Sequence, residues 1–426
     1  MQIGANPEKP GISYGNDLQD ITENQFSDLK NTNDPEDDNV PPPDSVQAWV
    51  IIGAATLACC NIFGNLTVSG VLQEYYLNTM FPKEPAATIS RISTISFTFL
   101  YMGGLLAGPM VPLIGIKYVT LIGAMASSLG LALEALSSSV WQLALTQGAI
   151  YGFGSSLLPG LGILSSGSGF GGLILAPTMR KTLPVLGIHW TFGVLAIINF
   201  VPAMICVFLF KKRGEVNPPR TIISFSLLKR PFTLFVCICA FLNQFGTSLI
   251  VLYFPATITD IGQSRSTASN TVLIYSALGG IGRIVANVMS KKWGNNNTLI
   301  FSAFGSAALI FGLWLPTRLF SVYLVFISFF GLLYPMAFPL MAALVSNNYK
   351  KDEILQANGL MFFSYDLSTL AGVPVMGVLF DKLGHRTSYI PVIISGGIIY
   401  LVNGVLFVLF RLYVNRYEPD AKIGKI

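Results

Sequence analysis

From Val46 to Leu412 the chain alternates between long apolar stretches and short polar breaks. A helix needs about 20 such residues to cross roughly 30 Å of hydrocarbon, and only helices or closed barrels can satisfy their backbone there. The stretches fall at 46–71, 92–114, 117–137, 140–158, 161–179 and 186–210, then at 232–256, 268–290, 298–316, 320–346, 356–380 and 388–412. The pattern therefore predicts twelve transmembrane helices in an all-α membrane protein.

The polar breaks give the order of the parts. The longest charged connection carries Lys211, Lys212, Arg213, Arg220, Lys229 and Arg230 with Pro218 and Pro219, and predicts a linker over 211–231. It separates two six-helix halves, 46–210 and 232–412. Residues 1–45 are rich in Asn, Asp, Pro and Gly without an apolar period, which predicts a disordered cytoplasmic tail. No basic start followed by an apolar core marks a secretory signal there. A second short cytoplasmic tail is expected over 413–426.

Charge changes the picture in two ways. At 52% hydrophobic and 11% charged residues the chain excludes ordinary water-soluble domains, which average about 25% charged. With both termini inside, the cytoplasmic segments hold 17 Lys and Arg against 8 outside, which fixes the predicted orientation. Ten of the 21 acidic residues precede residue 45, so the spans are nearly free of carboxylates.

Cys59, Cys60, Cys206, Cys237 and Cys239 all lie in apolar runs and read as small hydrophobes. His189 and His385 stand apart at predicted outer span ends, and no Cys, His or carboxylate cluster has metal-ligand spacing, so neither metal nor cofactor is expected. Gly167–Gly172 contains a GxGxxG pattern, but inside an apolar span with no strand before it; close helix packing is the reading. Asn296-Asn297-Thr298 matches a glycosylation acceptor on the predicted cytoplasmic side, where it is expected to stay unmodified.

Several segments carry a resemblance. The first span reads Asn61-Ile-Phe-Gly64-Asn65 and ends Gly70-Val-Leu-Gln73-Glu74-Tyr75-Tyr76, preceded by Gln47-Ala48-Trp49. With Ser165-Ser166-Gly167-Ser168-Gly169-Phe170-Gly171-Gly172, Gly282-Arg283 and Gly372-Val373-Pro374-Val375-Met376-Gly377, it resembles the fungal monocarboxylate-transporter-like branch of the major facilitator superfamily. The resemblance implies a twelve-helix fold of six plus six. The chain departs from the branch at Pro43-Asp44-Ser45, where members have Asp-Gly-Gly, and at Leu157-Leu158-Pro159-Gly160-Leu161, where a basic loop is missing. Shortened helices 4 and 5 with a break at Pro159-Gly160 are therefore expected.

Arg283 is the one basic residue well inside a span, and such a charge normally faces a partner or a watery cavity. In the branch it resembles, an arginine here is associated with binding the substrate carboxylate, which a planar guanidinium can grip through two oxygens. Asp366, near the middle of the eleventh span, is the expected counterion and proton-coupling candidate. Proton-coupled members of the branch it resembles instead carry an aspartate one turn before the arginine, here Gly279, and members that carry lactate-like acids have a span-one lysine, near Asn65 or Leu66 here. Asn61, Asn65, Tyr151, Asn243, Tyr275 and Tyr334 are further candidates for lining a substrate cavity, with Gln147 and Gln244 beside them. Each such residue alone is more often an interhelical hydrogen bond than a ligand contact.

The expectation is a secondary active transporter, a uniporter or symporter, of a small organic anion by alternating access, with protons as a second partner. It is expected to be monomeric, to bind no nucleic acid and to sit in the plasma membrane rather than the vacuolar membrane. A non-transporting receptor, a transport-defective member of the family, and riboflavin or a secondary metabolite as substrate remain open at this point.

Overall fold

The structure, a computed structural model, describes residues 46–84, 86–158, 167–209, 225–349, 353–385 and 388–417. The chain divides into two units, residues 1–48 and 49–426, and the second carries the helices of interest. The predicted N-terminal tail, the Pro43-Asp44-Ser45 turn, linker residues 211–224, the Pro159-Gly160 break and residues 418–426 lie outside the described residues, whereas 413–417, expected to open the C-terminal tail, are helical and continue the last span.

The described residues are helical nearly throughout, with no strand among them. α1 is Val46–Tyr75, continued by the wider turns of Tyr76–Met80. α2 is Ala86–Ile114, α3 is Ile116–Glu134 and α4 covers 140–156. α5 and α6 cover 167–186 and 188–209. The remainder are α7, Pro231–Asp260; α8, Arg265–Trp293; α9, Asn295–Trp314; α10, Phe320–Asn348; α11, Ile354–Lys382; and α12, Ile390–Tyr417. Among the described residues, eight are long and apolar enough by themselves to cross a membrane.

α5 and α6 differ from expectation. The predicted break over 180–185 is helical, and the two helices meet at the single residue Gly187, whose φ of +74° and ψ of 173° a side chain would oppose. Lys181 is exposed within this helix, where a long basic side chain can reach the interface without breaking the backbone. At the start of α4, Gln142 Oε1 reaches back to accept from the backbone N–H of Ser138 at 2.8 Å and of Ser139 at 3.2 Å, the return half of a capping box. Its centre, Ala144–Tyr151, is a π-helix. Such segments are rare and recur at functional sites.

One apolar cluster draws on α1–α6, around Ile62, Leu100, Leu131 and Phe192. Two others draw on α7–α12, and Tyr101 of α2 joins one of them. Leu57, Leu113, Trp190, Phe208, Phe329 and Leu412 point outward, as a lipid-facing surface requires.

Glycine decides two helix contacts. A Cβ on Gly171 of α5 would stand 1.8 Å from the Cys60 carbonyl oxygen of α1, with Gly64 on the facing side. The glycine-rich segment is therefore a close helix crossing. A Cβ on Gly282 would stand 2.1 Å from the Leu332 carbonyl oxygen of α10, so its absence lets α8 lie against α10 with Arg283 as the next residue.

Candidate substrate site

Arg283 is partly buried on α8, and its guanidinium carbon lies 5.8 Å from the centre of the Phe338 ring of α10. That is cation–π distance. Two turns earlier on α8, Tyr275 stacks on Tyr334 of α10 with ring centres 4.9 Å apart and planes 7° apart. Phe330 continues the stack 5.4 Å from Tyr334. The Tyr275 hydroxyl is buried with no hydrogen-bond partner among the described residues.

The charge of Arg283 reaches side chains of four helices: Cys59 on α1, Tyr101 on α2, Tyr275 on α8 itself and Tyr365 on α11. The aromatic frame closes around it. Tyr101 lies 6.5 Å from Phe362 and 6.2 Å from Tyr365, and Phe338 stacks on Tyr365 at 5.4 Å. A cation with a planar fork beside aromatic rings is suited to an anion whose remainder is apolar or flat.

Asp366 on α11 is 1% exposed. Thr98 of α2 faces its carboxyl, yet Thr98 Oγ1 and Asp366 Oδ1 both lack a hydrogen-bond partner among the described residues. Tyr101, one turn along α2 from Thr98, feels the charge of both Asp366 and Arg283. Asp366 thus stands at the contact between α2 and α11, in the same neighbourhood as Arg283.

The span-one candidates occupy other positions. Asn61 Nδ2 donates to the Leu57 carbonyl at 3.0 Å and Asn65 Nδ2 to the Asn61 carbonyl at 3.0 Å, so both donate within their own helix. Tyr151 donates to the Ile62 carbonyl at 3.0 Å, tying α4 to α1. Asn65, Gln147, Tyr151 and Ser96 line a small cavity among α1–α4 and α6, with room for the centre of a single water, about 10 Å³. Asn243 is buried on α7 and accepts from Thr247 at its backbone carbonyl, while the neighbouring Gln244 donates to Thr369 of α11 at 3.3 Å.

Asn296 of the glycosylation pattern is 1% exposed and donates to the Phe407 carbonyl at 3.3 Å, so its amide is turned into the fold. Among the described residues no group of three or more His, Cys, Asp or Glu could hold a metal ion. The sequence reading passed over Glu134, which is 1% exposed. A carboxylate inside the predicted 117–137 span was the available signal.

Residues 236–425 match the sequence family described as Major Facilitator Superfamily. An MFS-type transporter of Gibberella moniliformis (strain M3125 / FGSC 7600) is 26% identical over 424 residues, covering 94% of this chain and 99% of the relative. The agnestins efflux protein AgnL12 of Paecilomyces divaricatus is 23% identical over 383 residues, covering 86% and 87%. The human organic anion transporter MFSD10 (TETRAN) shares the fold with a TM-score of 0.69 at 12% identity, over 85% of this chain and 100% of that one. The chain is an integral, multi-pass membrane protein of all-helical architecture. Its fold is that of the Major Facilitator Superfamily, and the relatives that share its sequence are named for transport, not for catalysis.

Proposed function

We propose that the protein is a secondary active transporter of a small organic anion, with monocarboxylates as the first substrate class and protons as the coupling ion. The observation that carries this reading is Arg283, a guanidinium inside a span, framed by Phe338, Tyr275, Tyr334, Tyr101 and Tyr365 from α2, α8, α10 and α11. The substrate carboxylate sits on the guanidinium through two parallel hydrogen bonds, and the rings enclose its apolar part.

Residues 46–210 and 232–412 act as the two rocking halves, linked over 211–231. Asp366 couples them to the proton. A charged carboxylate at the packed α2–α11 contact carries a desolvation cost, whereas the neutral acid can stay buried there beside Thr98. Protonation therefore favours the state with α2 and α11 in contact, and release of the proton favours their separation. The name of MFSD10, an organic anion transporter, supports an anionic substrate.

A second reading, export of an acidic secondary metabolite through the same site, is supported by the name of AgnL12. The test is flux through purified protein in proteoliposomes, with radiolabelled lactate, pyruvate and riboflavin on one side. Saturable movement of an acid that responds to an imposed pH gradient is expected. Correctly inserted protein that binds these acids without moving them would turn the reading to a receptor.

A further inference from the structure

Among the described residues, two acidic side chains are fully buried: Asp366, and Glu134 at the C-terminal end of α3. The proposed transport cycle uses the first and leaves the second without a role. Glu134 Oε1 accepts from the Tyr76 hydroxyl at 3.0 Å, and Tyr76 is itself 2% exposed. Oε2 is buried with no hydrogen-bond partner among the described residues, and no ion pair joins Glu134 to a basic side chain there. The titratable groups around it are Tyr76 from the end of α1, Tyr151 from α4 and His189 from α6. The Tyr151 ring is within reach of the Glu134 charge, and His189 Nδ1 contacts the adjoining Ala135 carbonyl.

An uncompensated carboxylate in such a place is costly, and the cost disappears when it takes up a proton. The surroundings can serve the neutral acid. Leu131, one turn before Glu134, and Leu72, one turn before Tyr76, form the wall of the single-water cavity whose polar lining is Asn65, Ser96, Gln147 and Tyr151. Gln147 Oε1 in that lining is buried and has no partner among the described residues. The neighbourhood of a buried carboxyl thus holds a water-sized space and an unused acceptor.

We propose that Glu134 is a second proton-binding site of the protein. A proton adds to Oε2 while the Tyr76 hydroxyl continues to donate to Oε1. Loss of the proton regenerates the carboxylate, so nothing else is consumed. The binding event stands by itself; its use in coupling rests on the transport reading above.

Infrared difference spectroscopy on the full chain in lipid nanodiscs, titrated with acid and alkali, reads the site without any substrate. The native protein should show the C=O stretch of a buried carboxylic acid that appears as pH falls, and Glu134→Gln should remove that band while the Asp366 band remains. Tyr76→Phe, which keeps the ring and deletes the hydroxyl, should displace the same band, and it serves if Glu134→Gln does not fold. An unchanged difference spectrum in both variants, or a Glu134 band present at every pH, would overturn the proposal. A titrating band in a protein that moves no acid would overturn the transport reading and leave the proton site standing.

Discussion

A single charge inside an apolar run is the most legible signal in this chain, and it is what makes Arg283 and Asp366 candidates. Hydrocarbon makes a charged side chain expensive, so one that persists has a use. The same rule applied to Glu134, but that residue lies at a span end, where sequence alone does not separate a buried carboxyl from one that reaches solvent. The polar uncharged residues were far less readable. Asn61 and Asn65 donate to their own helix, and which way an amide turns is decided by packing that no spacing rule contains. For Asp366, replacement by Asn keeps the shape and removes the titration. Uptake by Asp366→Asn protein should persist at reduced rate while losing its response to pH, measured as initial rates in proteoliposomes across an acid-to-alkaline series.

At the scale of the helix, the glycines of α5 were readable as packing residues because they lie in an apolar span, and the 1.8 Å that a Gly171 Cβ would leave to the Cys60 carbonyl gives the reason. Gly171→Leu should therefore force α1 and α5 apart. Overpacking of this kind costs about 1–3 kcal/mol or more, and the thermal unfolding of purified protein should fall accordingly. The boundary between α5 and α6 was misplaced because the apolar stretches end at 179 and resume at 186, whereas the backbone breaks only where Gly187 permits a positive φ.

The start of α7 holds a second kind of contact. Arg230 donates to both oxygens of Glu353 at 2.8 and 2.7 Å, and these bonds raise the guanidinium further above its already high range. The guanidinium itself keeps its charge at every pH below strong alkali. Arg230 is 51% exposed, so solvent and salt screen the pair. Arg230→Ala should cost less than about 1 kcal/mol, and the difference in unfolding temperature should shrink as salt is raised.

For the molecule as a whole, the helices were legible because bilayer thickness fixes their length, and the order of apolar stretches in the sequence runs as α1 to α12 in the structure. Which faces meet was not legible. The frame around Arg283 draws Phe338 from α10 and Tyr365 from α11 together with Tyr101 from α2, which lies more than two hundred positions before them in the sequence. That convergence supports the proposed alternating access, in which the helices that would part, α2 and α11, are the ones that bring aromatic rings and Asp366 to one place.

The central claim is that Arg283 holds the carboxylate of a transported acid, and its most direct test is acid uptake by native, Arg283→Lys and Arg283→Ala proteins at matched insertion. Charge-assisted hydrogen bonds of about 1.5–3 kcal/mol correspond to roughly a 10- to 150-fold loss of apparent affinity in Arg283→Ala, with Arg283→Lys between the two because it keeps the charge and loses the fork. Equal saturable uptake by all three proteins would contradict the account.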